Sequence, residues 1–356
     1  MIVTFLAPSS PRPPSGGVTV VFELASALAG RGHDVYVLYG DLLQVGSPEA
    51  HQMALHLRDD SAHEFAPEGS GDDLLPTADV IFGYRSDPEL PPRTGLPMGL
   101  VQGYKMLGEA VERLAYHQPC PKICVAGWLV DVGRELGVPD RQLVHIPPGL
   151  RHEQYRLVTP IAERPPRVSF CYSPHQSKGA EYALAALSAL KKALPDVEVV
   201  AFGAAPAAHE LPVWVTYRMS PSQEELVDEI YNGSRIFLCS SRVEGFGLPC
   251  IEAMACGAAL VTTDNGGSRD YAFHDRTALV SPPRDVDAMA DHVATLLRDD
   301  DRRIRLATAG QQYVQRFQWD RSAEELETFI DVYRADPVAY GRPAGGHDRP
   351  ARQHDR

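Results

Sequence analysis

The sequence predicts an α/β protein made of two doubly wound, mainly parallel domains that face each other across a cleft. Three observations carry this expectation. The chain has 356 residues, enough for two domains. Short apolar runs rich in Val, Ile and Phe alternate with segments of three- and four-residue apolar spacing, the pattern of strand–helix–strand units. A stretch with three prolines and mixed polarity, Leu157–Arg167, divides that alternation into residues 1–156 and 168–335 and reads as a hinge. Residues 336–356, charged and rich in Pro and Gly from Arg342 onward, are expected to be a disordered tail.

In the first half, Ile2–Ala7 is a strand and Pro8–Gly17 a turn-rich loop ending in the pair Gly16-Gly17. A helix follows over Val18–Arg31, with Val18, Val21, Phe22, Ala25, Leu28 and Ala29 on one face and Gly32 as its terminator. Asp34–Tyr39 completes a βαβ unit. Glycines ahead of a helix let backbone N–H groups approach a phosphate or sugar closely, but the pair is not GxGxxG, so a dinucleotide site is not expected. Residues 40–76 show no clear period, and His51, His56 and His63 among them read as a polar surface. Strands are expected at Asp79–Tyr84, Met98–Gln102, Lys122–Ala126 and Gln142–Ile146, and helices at Gly108–His117 and Trp128–Leu136, before the turn Pro147-Pro148-Gly149.

In the second half, strands are expected at Val168–Tyr172, Val197–Phe202 and Val213–Tyr217, with an amphipathic helix at Ala180–Leu194. Ser222 and Glu225 form a capping box for a helix reaching Tyr231. The densest stretch comes next: strand Arg235–Cys239, polar loop Ser240–Gly247, helix Cys250–Ala255 opened by Pro249, stop at Gly257, strand Ala259–Thr262. Glu244 in that loop and Glu252 on the first helical turns should both lie at the carboxyl end of a parallel sheet, where α/β folds bind ligands. Helices Val286–Leu297 and Ile304–Phe317 follow.

Composition narrows the function classes. Apolar residues make up 44% of the chain, so a packed core is expected. The formal charge of −13 argues against a partner bound through a phosphate backbone, and no nucleic acid is expected. The six cysteines lack CxxC spacing and read as buried thiols. Asp285-Val286-Asp287 and Asp299-Asp300-Asp301 sit at helix starts, where Asp is an ordinary cap, so no metal or other cofactor is expected. With no run of 18 apolar residues and no basic flank at MIVTFLAP, the expected location is cytoplasmic.

The run from Glu244-Gly245-Phe246-Gly247-Leu248-Pro249 through Glu252-Ala253-Met254-Ala255-Cys256-Gly257 to Asp264-Asn265-Gly266-Gly267 resembles the signature of glycosyltransferase family four, retaining nucleotide-sugar-dependent enzymes of the GT-B fold. Lys178-Gly179, Ser281-Pro282-Pro283-Arg284-Asp285 and Arg316-Phe317-Gln318-Trp319 extend the resemblance over roughly residues 168–330. Gly16-Gly17, Val101-Gln102-Gly103-Tyr104, Trp128-Leu129 and Pro147-Pro148-Gly149 extend it more loosely into the first half. The resemblance implies a nucleotide-sugar domain at 168–335 facing an acceptor domain at 1–156. It implies that Glu252 accepts hydrogen bonds from the donor ribose and that Glu244 contacts the transferred sugar. The N–H groups of Phe246, Gly247 and Leu248 would meet the sugar or diphosphate, and Lys178 would neutralise that diphosphate.

Two positions depart from the pattern. Ser173 stands where the family usually has an arginine, which leaves Arg242, Arg85 or a protonated His175 to supply the second cation. Gln102 stands where many members place a histidine facing the sugar, and an amide cannot act as a base. These departures motivate one alternative to a sugar transferase, an inactive binding or partner subunit, and a GT-B sugar-nucleotide epimerase is a third reading. The expected partners are a nucleotide-sugar donor and a hydroxyl acceptor (a glycan, a lipid-linked glycan or a small molecule). A lipid-linked acceptor would entail weak membrane association, although no basic amphipathic helix is visible. The sequence does not specify the oligomeric state.

Overall fold

The computed structural model describes residues 1–7, 16–39, 53–58, 61–65, 78–84, 95–106, 109–204, 206–207 and 211–341. The first half contains β1 (Ile2–Ala7), α1 (Gly16–Gly30), β2 (Asp34–Tyr39), β3 (Met53–Arg58), β4 (Ser61–Phe65), β5 (Val80–Tyr84), β6 (Leu96–Val101), α2 (Glu109–His117), β7 (Lys122–Cys124), α3 (Gly127–Glu135) and β8 (Leu143–His145). These strands form one sheet in the order β4-β3-β2-β1-β5-β6-β7-β8. All neighbours from β2 to β8 run parallel, while β3 and β4 add antiparallel at one edge. That antiparallel pair lies inside the stretch for which no period was expected.

The second half contains β9 (Arg167–Cys171), α4 (Ala180–Ala193), β10 (Glu198–Gly203), β11 (Val215–Met219), β12 (Ile236–Cys239), α5 (Leu248–Ala255), β13 (Ala259–Thr263), β14 (Ala278–Ser281), α6 (Val286–Arg298), α7 (Asp300–Val314) and α8 (Trp319–Ala335). Its sheet is wholly parallel, in the order β11-β10-β9-β12-β13-β14. Most expected elements appear with ends moved by a residue or two. The capping box at Ser222 is made in both directions, at 2.8 and 3.1 Å, and the helix it opens is π-helical over Glu225–Tyr231. Asp285 and Asp299 cap α6 and α7 by accepting from Ala288 and Arg302 N–H groups. β14 and α8 are additional to the expected elements, and α7 begins four residues earlier than expected.

Three features differ from the expected domain plan. Residues 157–167 are not a loose hinge: the buried Arg164 side chain donates to the carbonyls of Thr159, Tyr231, Ser234 and Cys256 and to Asn232 Oδ1, which clamps the segment to the second half. The chain crosses between the halves on either side of that clamp. Pro147–Leu150 and Phe317–Ser322 pass side by side, joined by Leu150 N–H to Phe317 O (3.1 Å), Ser322 Oγ to Pro147 O (2.7 Å) and His152 Nε2 to Phe317 O (2.9 Å). After the second crossing α8 packs on α1 of the first half, with Arg31–Glu327 (2.6 Å) and Arg334–Asp79 (2.9 Å) at its flanks. The start of the expected tail is also packed: Tyr340 stacks edge-on against Phe329 and Tyr333, and its carbonyl accepts from Gln142 Nε2.

One apolar cluster is continuous across both halves, from Phe5 and Phe82 through Phe237 and Ile251 to Phe246, Tyr271 and Phe317. A second cluster lies beneath α4, α6 and α7 on the other face of the second sheet.

Candidate active site

In each sheet, strand order reverses direction at one point. In the second sheet the point lies between β9 and β12, and the carboxyl ends of strands at such a reversal are where α/β folds bind ligands. The loop after β9 carries Ser173, His175 and Lys178, and the loop after β12 carries Glu244. The two loops are joined. Ser240 Oγ donates to the carbonyl of Gly179 (2.8 Å), and Arg242 N–H donates to Ser177 O (2.7 Å). Gly179 has φ +61°, and a Cβ there would stand 2.4 Å from Ser240 O, so only glycine permits this approach.

At the centre, Lys178 Nζ donates to both carboxylate oxygens of Glu244 at 2.8 Å, and Ser241 Oγ donates to Glu244 Oε1 at 2.7 Å. Burial pulls the Lys178 ammonium toward deprotonation, but the charge of Glu244 and its hydrogen bonds outweigh this and hold the lysine above its ordinary range. Lys178 is thus a fixed cation. Two of its three N–H donors are spent on Glu244, and the third is available to a ligand.

Gly247, at φ +96°, caps α5, and Pro249 occupies its first turn. The N–H groups of Gly247 and Leu248 belong to the helix start, which lacks i−4 acceptors and favours an anion. The Phe246 side chain is buried against Tyr271 and Phe317, with ring centroids 5.4 and 5.3 Å away, and its carbonyl accepts from Tyr271 Oη at 2.9 Å, which leaves its N–H to serve a ligand. Glu252 lies one turn into α5 and accepts from Tyr231 Oη at 2.8 Å. Burial raises its carboxyl to about 7, against hydrogen bonds from Tyr231 and Tyr155 that favour the ionised form.

The remaining candidates divide. Ser173 and His175 lie on the β9 loop, where the His175 N–H donates to Ser173 Oγ (3.3 Å) and His175 Nδ1 meets Ser177 Oγ (2.7 Å). Gly16 and Gly17 open α1 after β1, and β1 and β5 flank the reversal point of the first sheet. A Cβ on Gly16 would meet open space. Gln102 reaches the site from the first half: its carbonyl lies 1.9 Å from where a Cβ on Gly245 would stand, and its buried Nε2 has no hydrogen-bond acceptor among the described residues. Arg85 lies outside the described residues.

Sequence reasoning missed Ser241, Tyr155, Tyr231 and Asp270, and it noted Trp128 only within a loose match. Trp128 Nε1 donates to Gly245 O at 2.9 Å, and both Asp270 oxygens accept from Gly127 N–H at 3.1 and 3.3 Å. No local pattern marks Tyr155, Tyr231, Asp270 or Trp128, because each acts on a partner distant in the chain, whereas Ser241 acts on Glu244 only three residues on.

Residues 152–313 match the family model described as "Glycosyl transferases group 1". The chain is 29% identical over 228 residues to a GDP-mannose-dependent alpha-(1-6)-phosphatidylinositol monomannoside mannosyltransferase of Mycobacterium tuberculosis, covering 56% of this chain and 58% of that protein. It is 35% identical over 115 residues to a D-inositol 3-phosphate glycosyltransferase of Corynebacterium urealyticum, covering 32% of this chain and 26% of that one. The chain therefore spans little more than half the length of the first relative and about a quarter of the second. In fold it is similar to sucrose-phosphate synthase from Thermosynechococcus elongatus, with a TM-score of 0.72 at 18% identity over 95% of this chain and 100% of the other. The match over residues 152–313 makes that segment similar to the group 1 glycosyl transferases, and the two mainly parallel sheets have the GT-B fold.

Proposed function

We propose that the protein transfers a sugar from a nucleotide diphosphate sugar to a hydroxyl acceptor, with retention at the reacting carbon, without a metal ion, in the cytoplasm. The observation that carries this reading is the Lys178–Glu244 pair at the sheet's reversal point, beside the free N–H groups that open α5. As the bond from sugar to diphosphate breaks, negative charge grows on the leaving group. A fixed ammonium and aimed N–H groups stabilise that charge more in the transition state than in the ground state. Glu244 holds the ammonium in place and offers acceptors to sugar hydroxyls. Glu252, ionised above about pH 7, suits the two donors of a ribose diol. A relative that uses GDP-mannose supports a nucleotide sugar as the donor.

Ser173 supplies no charge at the usual position of the second cation. Arg242, tied by its N–H to the same loop, is the replacement we assign.

The test is calorimetric titration with GDP-mannose, other nucleotide sugars and free nucleoside diphosphates, followed by turnover with the donor that binds. Glu252→Ala is expected to weaken donor binding at least tenfold, the loss of about one charged hydrogen-bond pair. Lys178→Ala is expected to lower turnover by roughly two to three orders of magnitude, the range for removing one group that stabilises developing charge. Wild-type turnover in Lys178→Ala would sink the mechanism. Donor binding with no transfer or hydrolysis would favour the binding-subunit reading, and an isomerised donor with no acceptor present would favour an epimerase.

A further inference from the structure

Glu244 is held from two sides. Its own half supplies the Lys178 and Ser241 contacts, and Glu244 N–H donates to Asn265 O at 2.9 Å, pairing the backbone of Glu244 with Gly266. The other side is supplied by the first half of the chain. Trp128, on the first turn of α3, donates its indole N–H to Gly245 O at 2.9 Å. Its ring lies flat against Gly266: a Cβ on that glycine (φ +87°) would stand 2.8 and 2.9 Å from two ring carbons. One side chain thus touches both backbone segments that frame Glu244, and it comes from the opposite half of the cleft. The helix that carries Trp128 is itself anchored across the cleft. Asp270 accepts from Gly127 N–H at the helix start, where its charge also suits the helix dipole, and it meets His145 Nε2 at 3.1 Å.

We infer that Trp128 is a positioning residue. It sets the backbone of the Glu244-Gly245 loop, and through it the Lys178–Glu244 pair, from the first half of the chain. The inference rests on the transferase reading above for its consequence in turnover, but not for its geometry. Trp128 need not touch the donor for this role. Glu252 and the α5 N-terminus remain to bind the donor when the indole is gone, so the loss falls on turnover and not on donor affinity.

The test uses the full chain with Trp128→Phe, which keeps an aromatic ring on Gly266 and removes the N–H. Three readouts are taken: amide hydrogen exchange of the peptide spanning 240–248 against that spanning 180–193, thermal midpoint, and kcat and KM for the donor. The expected result is about tenfold faster exchange confined to 240–248, since one hydrogen bond holding a local opening is lost. It is joined by a kcat about tenfold lower at nearly unchanged donor KM and midpoint. Asp270→Ala keeps the indole but frees the helix beneath it. It should give a smaller rise at the same peptide, and it decides the matter if the first variant does not fold. Wild-type exchange and kcat in Trp128→Phe overturn the proposal, as does a rise in exchange spread evenly over both peptides with a fall in midpoint, which is the mark of packing alone. If the wild-type protein turns over no donor, the transferase reading falls, while the exchange readout still decides what Trp128 does.

Discussion

Glu252 shows how one residue would join stability to the donor binding we propose. Its carboxyl titrates near 7 in the folded protein against an ordinary value of 4.5, because burial penalises the charge more than Tyr231 and Tyr155 repay it. A raised acid binds its proton more tightly when folded. Its contribution to stability is therefore full below about pH 4.5, declines as pH rises, and above pH 7 has become the full cost of a buried charge. Glu252→Gln should accordingly stabilise the protein by up to about 3 kcal/mol at pH 8 and by almost nothing at pH 4.5, read by urea unfolding at both pH values. An equal effect at both would show that the carboxyl is not raised. Under the proposed ribose contact, donor affinity should run the opposite way in the wild type, weakening as pH falls through about 7, because two hydroxyl donors favour the ionised carboxylate. The sequence marked Glu244, Glu252 and Lys178 through the motifs around them. It could not show that Lys178 and Glu244 meet, since 66 residues separate them. Nor could it show that the Phe246 side chain belongs to the core.

At the scale of elements, local rules were legible where the cause is local. The glycines Gly32, Gly137 and Gly257 end or follow helices at φ +88°, +80° and +86°, and the reciprocal Ser222–Glu225 cap forms as its spacing predicts. The segment 157–167 shows where local reading stops. Its prolines and mixed polarity look like a linker, yet Arg164 turns it into a strut by filling five acceptors at once. Arg164→Ala should destabilise the protein by about 3–5 kcal/mol, because buried carbonyls lose their donors together. Arg164→Lys should recover less than half of that, since one ammonium cannot reproduce a planar fork. Thermal or urea unfolding of the pair decides, and a loss under 1 kcal/mol for Arg164→Ala would show that the strut is dispensable.

At the scale of the molecule, α8 begins in the second half and is spent on the first. Its Ala323, Leu326, Ile330 and Tyr333 are fully buried, and Tyr333 Oη donates to Pro97 O at 3.1 Å. A chain ending at Gln318 should expose the apolar face of α1, bind a hydrophobic dye and lose cooperative unfolding of the first half, since each buried Leu or Ile removed costs about 1.5–3 kcal/mol. A cooperative transition at the full chain's midpoint would refute that dependence. By itself the sequence determined the α/β class and most of the strands and helices, and it singled out Lys178, Glu244 and Glu252 as candidates. Those follow from hydrophobic period, capping chemistry and a contiguous motif, all of which act over a few residues. Only the tertiary structure decided that Lys178 pairs with Glu244, that Arg164 locks the expected hinge, that α8 returns to α1 and that Trp128 reaches across the cleft to Gly245. Each of these joins groups far apart in the chain, and such contacts are selected by the packing of the whole fold and leave no period or spacing in the sequence.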